Sequence, residues 1–92
     1  MVRSLASLPG ADLVSQGLRD LAAGDRTIAA LLVSIGAPRL RTLGFDVVAP
    51  IEDADHELYL VLASEDADGA HSRYNALVRT LVSFERAVAC AG

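Results

Sequence analysis

The sequence predicts an all-α fold, a small irregular bundle of four main helices and one short helix. Three observations predict it. Apolar residues recur at three- and four-residue intervals, most clearly at Ala70, Tyr74, Leu77, Leu81, Phe84, Val88 and Ala91. Glycine and proline fall at Pro9-Gly10, Gly24, Gly36-Ala37-Pro38, Gly44, Pro50 and Gly69 and cut the chain into helix-sized pieces. Strand-like alternation is confined to one stretch, Leu58, Leu60 and Leu62.

The first helix is expected over 9–23. Ala11, Val14, Leu18, Leu21 and Ala22 share a face, Pro9 suits the first turn and Gly24 suits the C-terminal cap. The second is expected over 26–35, with Asp25 as N-cap, a stripe of Ile28, Leu31, Leu32 and Ile35, and Gly36 as the stop. A short helix at 38–43 begins on Pro38 and ends before Gly44, and "FDVVAP" is irregular.

The fourth helix is expected over 53–63. Asp53 and Asp55 suit its N-cap, Glu57 its first turn, and Leu58, Val61 and Leu62 make a helical stripe. The alternative is a β-hairpin pairing 45–49 with 57–63; the capping residues favour the helix. The last helix, 69–90, is roughly 33 Å long at 1.5 Å per residue. So wide an apolar face must touch more than one neighbour, which makes this helix the expected spine, with a stretch left for a partner.

The 92 residues make one domain, 1–92. Apolar residues are 52% of the chain and mean hydropathy is +0.37. Size scaling lets a chain this small bury only about 60% of its unfolded surface. The surplus points to self-association, most simply a two-fold dimer. All eight basic residues are arginine, and Ala (16) and Leu (14) make up about a third of the chain; this usage is expected of a GC-rich bacterial genome. The single Cys90 forms no internal disulfide and fits a reducing cytoplasm. Arg3 followed by five residues before Pro9 is too short a start for a signal peptide, and no apolar run approaches the roughly 18 residues of a membrane span.

Charge is uneven. Residues 1–45 hold five Arg and three Asp, and residues 46–92 hold three Arg and nine acids. Eight acids and no base lie between Asp46 and Asp68, a segment that repels nucleic acid and suits a basic protein partner.

The run His71-Ser72-Arg73-Tyr74-Asn75 opens the last helix with five reactive residue types. Successive helical residues point 100° apart, so they do not converge on one atom. They read as a helix start, with a polar line of Asn75, Arg79 and Arg86 flanked by Arg73 that suits a carboxylate, a phosphate or an acidic surface. No metal is expected: His56 and His71 start different helices, and neither a His-x-x-x-His motif nor a cysteine pair occurs. "SEDADGAHSRYN" has the outline of a calcium loop, but Ser64 and Asn75 stand where carboxylates are needed. Cys90 reads as an idle thiol on an apolar face, with no histidine near it in sequence. No glycine-rich phosphate loop is present, and no cofactor is expected.

The expected role is therefore a non-catalytic bacterial protein–protein interaction module, self-associating, in the manner of a regulatory or antitoxin-like partner. Its contacts are expected at Arg73, Tyr74, Asn75, Leu77, Leu81, Phe84 and Val88. One alternative is a DNA-binding regulator using a helix-turn-helix-like corner at 27–44, with Arg39 and Arg41 as contacts; Leu32 stands where that motif wants a small residue. A second is a small-ligand binder or enzyme using the polar start of the last helix.

Overall fold

The computed structural model describes residues 7–91, with the side chain of Ala91 left aside; Arg3 lies outside the described residues. Five helices follow one another: α1 (Ala11–Ala23), α2 (Ile28–Ile35), α3 (Ala37–Thr42), α4 (Ala54–Glu65) and α5 (Ala70–Ala91). The described residues contain no strand. The hairpin alternative is thereby overturned: 45–49 is irregular, and Leu58–Leu60–Leu62 lies inside α4. The acids that open α4 complement its dipole, and a helix satisfies its own backbone where a lone hairpin would leave open edges.

Each expected helix is found within two residues of its expected ends. The capping is less faithful. α1 begins at Ala11, after Gly10 in the left-handed region. It ends in a Schellman motif: Gly24 sits at φ 82°, its N–H donates to the Leu21 carbonyl, and the Asp25 N–H reaches back to Asp20. Asp25 is consumed by that motif and does not cap α2. Thr27 does, its hydroxyl accepting from the Ala30 N–H at 3.1 Å and donating to the Asp20 carboxylate at 2.5 Å. One hydroxyl thus joins α1 to α2. Asp53 precedes α4 as expected, but at φ 51° and with no capping bond from its side chain.

The spine is α2, not α5. α2 touches all four other helices, and Leu31, Leu32 and Val33 are wholly buried. Its sequence is apolar around its whole circumference, which is tolerable only where neighbours cover every side. α1 crosses it very closely. A Cβ at Gly17 would collide with the Ala29 carbonyl and stand 2.7 Å from Val33 Cγ1, so the contact needs glycine. α5 fails as the spine because the chain has no other long helix to lie along it. α4 covers part of it, and Phe45, whose ring centroid is 5.5 Å from that of Phe84, covers another part.

The fold measures 45 × 25 × 17 Å. No described helix is long and apolar enough to cross a membrane.

Candidate functional site

The expected contact residues separate into three groups. Leu81 and Phe84 are 3% and 2% exposed and belong to the core. Leu77, Val88 and Tyr74 are half-buried against that core. Arg73 and Asn75 are exposed. Arg73 donates to Glu65 at 2.7 Å, a bridge between the end of α4 and the start of α5. Asn75 bonds His71 Nε2 at 3.2 Å, one turn apart. The start of α5 is thus occupied by local pairs, and Ser72 points to solvent.

Arg39 and Arg41 are both exposed, and Arg41 is bonded to the fold. Arg41 donates to the Val47 carbonyl at 2.8 Å and holds the irregular loop against α3. The charge of Arg39 is felt by Glu85. α3 is only six residues long, and Leu32, the bulky residue in the preceding helix, is wholly buried. Cys90 is free and exposed rather than set into an apolar face. No group of three His, Cys, Asp or Glu among the described residues gathers at one point.

Two clefts stand out. The first has a volume of about 380 Å³ and lies between the end of α2, the Ile51 loop, the start of α4 and Tyr74. Asp53 and Asp55 edge it, with Ile35 and Ile51 as its apolar part. Ser34 anchors this region: 8% exposed, its hydroxyl donates to the Ala30 carbonyl at 2.8 Å and accepts from the Ile51 N–H at 3.0 Å. The loop is thereby tied to α2. The rings of Tyr59 and Tyr74 meet at a tilt of 58°, with centroids 5.9 Å apart. The second cleft runs along α5 past Asn75, Val78, Arg79, Val82, Ser83 and Arg86. These residues recur at three and four, so one face of α5 carries them all.

Three features escaped the sequence reading. Ser34 looks like any serine within a helix, and its bond to Ile51 crosses 17 residues. The acidic cleft joins residues from three helices and a loop. Glu85 is the third: 9% exposed, it has a carboxylate that would lie 3.0 Å from a Cβ at Gly36. Burial raises its pKa above the ordinary carboxylate value, and Arg39 partly offsets this. Glu85 did have a signal, since it lies four residues after Leu81 on the packed side of α5.

No family model, curated protein or solved structure matches the chain.

Proposed function

We propose that this chain is a protein–protein interaction module that acts first by self-association. The outer side of α4 carries this reading. The middle of α4, residues 58–63, is apolar around the helix, yet only Leu58 and Leu62 of this run are buried. Leu60 is 54% exposed and Tyr59 39%, and Val48 in the preceding loop is 48% exposed. An exposed apolar residue is ordinary by itself; an unbroken apolar turn carried out to the exposed side of a helix marks a place for a partner. A second copy covers it.

The local pairs at the start of α5 support this reading over chemistry at His71 and Ser72. The bond from Arg41 to the Val47 carbonyl and the shortness of α3 support a packing corner over a DNA-reading one. Sedimentation equilibrium at micromolar concentration is the test. The expected result is a species of twice the chain mass; a single species of monomer mass overturns the proposal.

A further inference from the structure

The two clefts are opposite in charge and share a border. Asp53 and Asp55 edge the first, which has no basic residue in its lining. Arg79 and Arg86 edge the second, which has no acidic one. Tyr74 lines the first cleft, while Asn75 and Val78 line the second. Tyr74 and Val78 are four apart on α5 and therefore neighbours on its surface. Arg79 and Arg86 follow at about 7 and 18 Å along the helix axis from Tyr74. None of the four charged residues has an ion pair among the described residues.

A simple contact of α5 with a second α5 across the basic cleft would set guanidinium against guanidinium. Two adjoining patches of opposite sign behave differently. A two-fold axis through their border exchanges them, so the surface is complementary to itself and the assembly closes at two copies. We propose that two copies of the chain pair about such an axis, with Arg79 and Arg86 of each copy entering the Asp53–Asp55 cleft of the other. Arginine suits that cleft: its stem packs on apolar groups such as Ile35 and Ile51 while the guanidinium meets carboxylates in planar, paired hydrogen bonds. Val78, Val82 and Tyr74, already half-buried, form the apolar centre around the axis. This surface rests on the self-association proposed above, and it meets the exposed face of α4 at Tyr59, whose ring lies against that of Tyr74.

A charge exchange tests it by sedimentation equilibrium. One variant carries Arg79→Asp and Arg86→Asp; the other carries Asp53→Asn and Asp55→Arg, asparagine being tolerant of the left-handed backbone at 53. Each variant alone is expected to dimerise at least about tenfold more weakly than the parent, the scale of losing one close charge pair. An equimolar mixture is expected to recover a mixed dimer, because both of its cleft contacts are again opposite in sign. Misfolded chains would show no such recovery. If circular dichroism shows that a reversed-charge variant has lost its helix, the neutral pairs Arg79→Gln with Arg86→Gln and Asp53→Asn with Asp55→Asn decide instead. Each should weaken the dimer about tenfold and flatten its dependence on salt. A monomeric parent overturns this surface together with self-association. A parental dimer untouched by either pair of substitutions overturns this surface alone, and weakening without recovery on mixing overturns the pairing of the two clefts.

Discussion

α2 and the middle of α4, residues 58–63, are both apolar on every side, and the fold treats them differently. α2 lies at the centre, with Leu31, Leu32 and Val33 wholly buried and four helices around it. α4 lies at the edge, with Leu58 and Leu62 wholly buried but Leu60 more than half exposed. These apolar runs are alike; their positions in the fold are not. An apolar helix therefore records that it must be covered, without recording whether its own chain or another copy does so.

The largest expected effect separates the two helices directly. Leu32→Ala leaves a cavity in a closed core and should cost about 2–5 kcal/mol. Leu60→Ala should change the stability of the isolated chain by no more than about 0.5 kcal/mol. Urea unfolding at low protein concentration measures both, and equal losses would mean that α4 is as enclosed as α2.

Next is the close crossing that centres α2. Gly17→Ala drives a methyl group into the Ala29 carbonyl and should cost about 1–3 kcal/mol, the range for overpacking. A thermal melt unchanged from the parent would show that α1 and α2 can separate without loss.

Thr27→Ala is expected to cost about 1 kcal/mol, since it leaves the Ala30 N–H without its cap and breaks the tie between Asp20 of α1 and the start of α2. The same contact gives a pH signature. The Thr27 hydroxyl is the main cause of a lowered Asp20 pKa, followed by the Gln16 amide. The folded chain thus binds this proton less tightly than the unfolded one. Its contribution is present above the ordinary carboxylate pKa and is lost as pH falls through the lowered value. NMR titration of Asp20 should show its pKa rising towards normal in the Thr27→Ala chain.

Glu85 gives the smallest effect and the opposite sign. Burial raises its pKa, so the folded chain holds this proton more tightly than the unfolded chain does. Its favourable contribution is complete below the ordinary carboxylate pKa and is lost as pH rises through the raised value. Glu85→Gln keeps the shape without the charge. It should stabilise the chain at neutral pH by up to about 1 kcal/mol, and the two melts should converge below about pH 4. A destabilised variant at pH 7 would mean that the attraction of Arg39 outweighs the burial.

The helix ends were legible because their signals are local. Gly24 and Gly36 stop helices wherever those helices lie, and the 4-3 spacing from Ala70 onward marks a helix before any neighbour is known. The exact caps were less so. Asp25 and Thr27 both suit an N-cap, and the backbone path out of Gly24 decides between them. The polar line of Asn75, Arg79 and Arg86 was also legible, being a single face of one helix. Its acidic neighbour was not, since Asp53, Asp55 and Tyr74 meet only after α4 and α5 have packed.

By itself, then, the sequence determined the helical class, the five segments, the apolar surplus and the separation of charge along the chain. All of these follow from spacing and composition. The tertiary structure alone decided that α2 is enclosed and α4 is not, that Glu85 is buried, and that the acidic and basic clefts adjoin. The physical reason is range. Helix periodicity and punctuation act over about four residues. Burial and the meeting of charges depend on which helices lie side by side, and that is set by the close approach at Gly17 and the tie from Ser34 to Ile51.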